Sequence, residues 1–181
     1  MMKIEAADVV RFWQNAGPDK WFAKDDAFDA AIKARFLAAH ETAARCELSD
    51  WAESAEGALA LLLLLDQFPR NLFRNSAHAF ATDGLARQIA REALARGFDR
   101  QVAEPLQAFF YLPFMHSEAL EDQVLCTRLC ARPGLENNHK FALEHQEIIE
   151  RFGRFPHRNT SLGRETTVEE QAFLDSGGFA G

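Results

Sequence analysis

"ALALLLLLDQFPRN", residues 58–71, holds an eight-residue apolar run that stops at Asp66. A membrane-spanning helix needs about 20 apolar residues, so a run of this length reads as a buried helix. Being apolar on every face, it belongs at the centre of a core rather than on its rim. Pro69 lacks an N–H and crowds the preceding turn, and it biases Phe68 towards extended backbone. The helix, which starts near Ser49, is therefore expected to end at that pair.

Outward from this run the helical period recurs and strand alternation does not. Val9, Val10, Phe12 and Trp13 predict a first helix that stops near Gly17-Pro18. Phe28, Ile32, Phe36 and Ala39 stripe a second, with Asp25 or Asp26 as N-cap. After the leucine helix, Thr82 or Ser76 can cap a fourth, striped by Leu85, Ile89 and Leu94 and closed at Gly97. Asp99 opens a fifth that ends near Pro113, and Ser117 caps a sixth that breaks at Pro133-Gly134. Phe141, Leu143, Ile148, Ile149 and Phe152 mark a seventh, which stops at Gly153. Thr167 and Glu170 form a capping box for a short eighth. The expectation is an all-α fold of about eight helices in a single domain, residues 1–181.

Composition narrows the function classes. The chain has 181 residues, 48% of them hydrophobic, with a net charge of -7. Such a surface is poorly suited to nucleic acid or an anionic membrane, so neither is an expected partner. The N-terminus "MMKIEAADVVRFW" carries Glu5 and Asp8 and no long apolar run, unlike a signal peptide. Cys46, Cys126 and Cys130 form neither an even disulfide framework nor a CxxC pattern. Cys126 and Cys130, one helical turn apart, read as two small buried side chains in a reducing cytoplasm.

A short internal echo stands out. "QFPRN" (67–71) and "RFPHRN" (154–159) both place a Phe-Pro pair just before Arg-Asn. In each, a phenylalanine anchors a break and displays the following polar residues from a pinned turn.

The blocks "LALLLLLDQFPRNLFRNSAHAFATDGLA", "FYLPFMHSEALEDQ" and "HQEIIERFGRFPHRNTSLGRETTVEEQAFL" resemble the three signature blocks of the bacterial family catalogued as domain of unknown function 924. "VVRFWQNAGPDKWFAKDDAFDAAIKARF" is similar to its opening, so the resemblance covers nearly the whole chain. It implies a tetratricopeptide-like right-handed helical array, and it brings no established activity.

Candidate binding residues come from the polar parts of these blocks: Asp66, Arg70, Asn71, Arg74, Asp83, His145, Arg154, Arg158, Asn159 and Arg164. Arginine forks hold carboxylate or phosphate through paired hydrogen bonds, so several converging in one cleft would select an anion. The plain alternative is that Asp66, Asp83 and Glu118 neutralise those arginines in an internal ion-pair network. His116, Glu118 and His157 are the candidate catalytic residues, because an imidazole titrates near neutral pH and a carboxylate can orient it. No metal site is expected: there is no HExxH, and nearby arginines would repel a divalent cation. No cofactor is expected either. His40, His78 and His139 read as partly exposed helix residues, and the aromatics as mostly core.

Two function classes follow. One is a binding module for a small anionic ligand or an acidic peptide. The other is a small enzyme acting on a phosphorylated or carboxylated metabolite, with His116 or His157 as acid or base.

Overall fold

The computed structural model describes residues 4–180, and among them every regular element is helical. By internal packing the chain gathers into two compact units. The first is Met1–Arg74 with His78–Pro113, and the second is Asn75–Ala77 with Phe114–Gly181.

In the first unit, α1 (Ala6–Ala16) is followed by the single turn α2 (Pro18–Trp21) and by α3 (Asp26–Ala44). Asp25 caps α3 as expected, its carboxylate accepting from the Phe28 N–H at 3.0 Å. The leucine run lies in α4 (Ala55–Leu62), which packs against α1 and against α6 (Asp83–Ala95). Leu59 to Leu65 are all buried. Burying each such side chain is worth roughly 2 kcal/mol. Trp13, Phe36, Phe68 and Phe109 complete this core: Trp13 lies 5.6 Å from both Phe68 and Phe109, and Phe36 lies 5.3 Å from Phe68.

The helix does not end at Phe68-Pro69. It widens into a π turn over Leu63–Gln67 and continues as α5 (Phe68–Leu72). The reason is hydrogen-bond bookkeeping. A proline at 69 offers no N–H to the carbonyl of Leu65, and that carbonyl instead accepts the Thr82 hydroxyl at 2.6 Å. The Leu64 carbonyl accepts from His40 Nδ1 at 2.8 Å. With those acceptors satisfied from other helices, the wider π turn gives the proline ring room. This contact also buries His40, which the sequence placed at the surface.

Other expectations shift in detail. Thr82 stands at the N-cap position of α6 but spends its hydroxyl on Leu65. The buried stripe of α6 is Ala86, Ala90 and Ala93, with Leu85, Ile89 and Leu94 half-buried beside it. Small residues let a helix approach its neighbour closely, which is why the alanines take the inner face. The fifth expected helix is a series of short turns, among them Phe98–Gln101, α7 (Glu104–Gln107) and Ala108–Phe110, leading into α8 (Leu112–Met115).

The second unit contains α9 (Leu120–Cys130), α10 (Glu136–Phe152) and α11 (Val168–Asp175), with α9 and α10 packed together. Ser117 is not the N-cap of α9; Ala119 is. The Ser117 hydroxyl accepts from the Ala119 N–H at 3.2 Å and donates to Asp122 at 2.7 Å, one turn further in. Ala142, His145, Ile148 and Ile149 form the buried face of α10, whereas Phe141 and Leu143 point outward. Gly153 closes α10 at φ 68°, the left-handed C-cap expected of it. The Thr167–Glu170 capping box is present at α11. Cys126 and Cys130 are buried and unbridged.

Candidate functional site

The candidate residues fall into two groups, one in each unit. In the first unit, α5 carries Arg70 and Asn71, with Arg74 just beyond its end. Arg70 donates to both oxygens of Asp83, at 3.1 and 3.0 Å, and lies 3.4 Å from Asp66. Asp83 is the first residue of α6, where the helix dipole favours a carboxylate. Burial works against the Arg70 cation, and the two facing carboxylates more than restore it. Asn71 donates to Asp29 at 2.7 Å, and Arg74 grips the same carboxylate through Nε and Nη2. Arg70 therefore lies between two acids, and Arg74 and Asn71 share a third.

In the second unit the network is built on Glu118 and Glu170. Glu118 accepts from Arg164 Nη1 at 2.8 Å, from Arg164 Nη2 at 2.9 Å and from the Phe155 N–H at 2.8 Å. Burial pushes its carboxyl up, and those donors bring it below the ordinary carboxylate value. Arg164 Nε donates to the Asn159 side-chain oxygen at 2.9 Å, and the Asn159 amide donates to Glu170 at 3.2 Å. Glu170 also takes Arg154, at 2.6 and 2.9 Å, and the Thr167 N–H at 2.8 Å. The Arg154 hydrogen bond, with the help of Thr167, holds the Glu170 carboxyl down at about 2.

Arg158 and two of the histidines gather around the Phe155 ring, and Arg158 helps to lower the Glu118 carboxyl. The short turn Pro156–Arg158 buries Arg158, whose guanidinium lies 4.5 Å from the centre of the Phe155 ring. His145, buried on α10, meets Phe155 edge-on at 5.4 Å and Phe179 at 4.4 Å. His157 lies 5.7 Å from Phe155 and 5.2 Å from Phe179. Phe179 thus touches both imidazoles from the C-terminal segment. That segment is pinned at Gly178, where a Cβ would come within 2.5 Å of the Phe173 ring.

His145 is the most perturbed of these groups. Desolvation first, then electrostatic opposition from His116 and from the Arg158 guanidinium, lower it from 6.5 to about 4. Its Nδ1 faces the Phe141 carbonyl at 2.8 Å. A neutral imidazole in that position donates through Nδ1–H, which leaves Nε2 as the basic atom.

The sequence profile of the family described as bacterial proteins of unknown function, DUF924, matches residues 9–178. The chain belongs to that family. A solved structure from Agrobacterium tumefaciens, that of the protein of unknown function ATU0120, is 56% identical. It aligns over 94% of this chain and 97% of its own, with a TM-score of 0.92. No curated protein matches.

Three contributors to these DUF924 networks were not among the expected site residues. Asp29 lies on α3, 45 residues before the Arg74 that it binds, and nothing in its local spacing marks it. Glu170 was visible only as a capping-box residue, yet it also serves Arg154 and Asn159. Phe179 sits in a Gly-Gly-Phe tail that reads as loop. Among the described residues no cluster of His, Cys, Asp and Glu has the arrangement to hold a metal ion. No described helix is long and apolar enough to cross a membrane.

Proposed function

We propose that this is a cytoplasmic binding protein for a small anion, a phosphate or a carboxylate, taken up at Arg158 with His145 and His116. The observation that carries this reading is the gathering of Arg158, His145 and His157 around the Phe155 and Phe179 rings, where His145 is also lowered. Burial is the largest cause, and electrostatic opposition from His116 and Arg158 adds to it, so an anion placed beside them would offset that added part. Arg158 feels the Glu118 carboxylate, and the arginines of the two networks are engaged by acids as well. Arg70 lies between Asp66 and Asp83, Arg164 is forked onto Glu118 and Arg154 onto Glu170. An incoming anion there would compete with a carboxylate that the chain already supplies. The unbridged cysteines agree with a reducing compartment.

A second reading, acid–base chemistry on the bound anion, draws on the same residues. His145 is neutral with a basic Nε2, and His157 approaches the same Phe179 ring. His116 or His157 would then transfer the proton.

The test is calorimetric titration of the full chain with inorganic phosphate and with malonate. Saturable binding that falls at least tenfold in Arg158→Gln, is partly kept in Arg158→Lys and is unchanged in Arg151→Gln supports the reading. Arg151 is an exposed arginine paired with Glu169 and serves as the charge control. Absence of saturable binding, or equal binding by Arg158→Gln with unchanged circular dichroism, contradicts it.

A further inference from the structure

A second cleft lies entirely in the first unit, between α1 and α3. It has a volume of about 390 Å³ and is lined by Arg11, Phe12, Lys20, Phe28 and Arg35, with Asp8 as the acid among them. Part of its lining is aromatic: the rings of Phe12 and Phe28 stack on each other, parallel within 2° with centroids 5.5 Å apart. Phe28 is buried and Phe12 half-buried, so both rings are held by the core while Phe12 keeps a face towards the cleft. The rim is cationic. Arg35 lies 5.4 Å from the Phe12 ring centre and 5.3 Å from that of Phe36, and Lys20 lies 5.6 Å from that of Phe28.

What separates this cleft from the arginine networks is the state of its cations. Arg11 pairs with Asp8 at 3.6 Å and Lys20 with Asp25 at 3.5 Å, close enough for Lys20 to help lower the Asp25 carboxyl, so both are held by single-point ion pairs rather than forks. Arg35 has no carboxylate partner among the described residues and rests on rings alone. An exposed guanidinium on an aromatic face has its fork of donors turned to solvent, ready for a planar anion. The Phe12 ring beside it offers packing area to a flat apolar body. The two features are complementary to one ligand class, and the volume lies within the range of small-molecule sites.

We infer that the α1–α3 cleft binds a small planar aryl anion, its ring packed against the half-buried Phe12 and its carboxylate or phosphate held by Arg35 with Arg11. The ring and the charge act together, so neither a simple anion nor a neutral arene satisfies the site. This inference is independent of the Arg158 site and stands or falls separately from it.

The experiment is a two-dimensional NMR titration of the full chain with benzoate and phenyl phosphate as probes, and with acetate, inorganic phosphate and benzyl alcohol as partial ligands. The expected result is saturable shifts of the Phe12, Phe28 and Arg35 side-chain signals with the two aryl anions, at least tenfold tighter than with any partial ligand. Arg35→Gln weakens the aryl anions at least tenfold while the circular dichroism spectrum stays that of the parent, because Arg35 is exposed and its loss removes only two ring contacts. Arg158→Gln leaves the aryl-anion titration unaltered, which separates this cleft from the other site. The inference is overturned if acetate or phosphate binds there as tightly as benzoate does. It is equally overturned if Arg35→Gln binds benzoate like the parent, or if the cleft signals do not move.

Discussion

Arg164 and Glu118 meet fork to fork, with both terminal nitrogens of the guanidinium within 2.9 Å of the two carboxylate oxygens. Glu118 also accepts the Phe155 N–H, so this one pair ties the entry of α9 to the turn that follows α10. Removing one partner leaves the other partly buried and charged without its counterpart. Arg164→Ala is predicted to cost about 2 kcal/mol of unfolding free energy. A double-mutant cycle with Glu118→Gln, read by urea denaturation, should give a coupling of about 1 kcal/mol or more. Simple additivity would show that the pair contributes nothing specific.

His145 makes stability depend on pH in a defined window. Its folded value, about 4, lies below its ordinary 6.5, so the unfolded chain takes up the proton first. The contribution is fully present above pH 6.5, and it is lost as pH falls through 6.5 to about 4. The loss should reach on the order of 3 kcal/mol. Glu170, depressed to about 2, adds a further loss from about pH 4.5 downward. Denaturation midpoints of the parent and of His145→Asn between pH 7 and 4 check this, since the variant should lose the upper part of the slope.

Gly57 lies in the first turn of α4 against the preceding short helix. A Cβ there would stand 2.0 Å from the Trp51 carbonyl oxygen and 2.9 Å from the Ser54 hydroxyl that caps the helix. The obstacle is backbone and cannot rotate away. Gly57→Ala is therefore predicted to cost about 3 kcal/mol despite the better helix propensity of alanine. A thermal midpoint equal to that of the parent would show that the turn yields freely.

Phe179 covers His145 and His157, and the anion proposed for that site must share space with it. Phe179→Ala is predicted to increase the rate at which diethyl pyrocarbonate modifies His145 severalfold, with little change in circular dichroism. Mass-spectrometric mapping of the modified histidines measures this directly. An unchanged rate would mean that the ring does not limit access.

Features of the sequence that depend on near neighbours were legible. The Asp25 cap, the Thr167–Glu170 capping box and the Gly153 C-cap each follow from a few adjacent residues, and the structure has all three. The leucine run declared itself central because no face of it is polar. What was missed depends on partners far away in the chain. Pro69 sits within a continuing helix because Thr82, 17 residues beyond Leu65, satisfies the Leu65 carbonyl that the proline abandons. His40 is buried because Leu64, 24 residues away, offers a carbonyl to it. The arginine blocks announced a charged cluster, but local spacing could not say that Asp29 and Glu170 would complete it.

The account turns on whether an anion sits beside His145, and the imidazole itself can report it. The decisive measurement is the pKa of the His145 ring by heteronuclear NMR, with and without saturating inorganic phosphate, in the parent and in Arg158→Gln. The account predicts a value near 4 without phosphate, a clear rise when phosphate is added, and loss of that phosphate-dependent rise in Arg158→Gln. A His145 pKa that is the same with and without phosphate in the parent would contradict it.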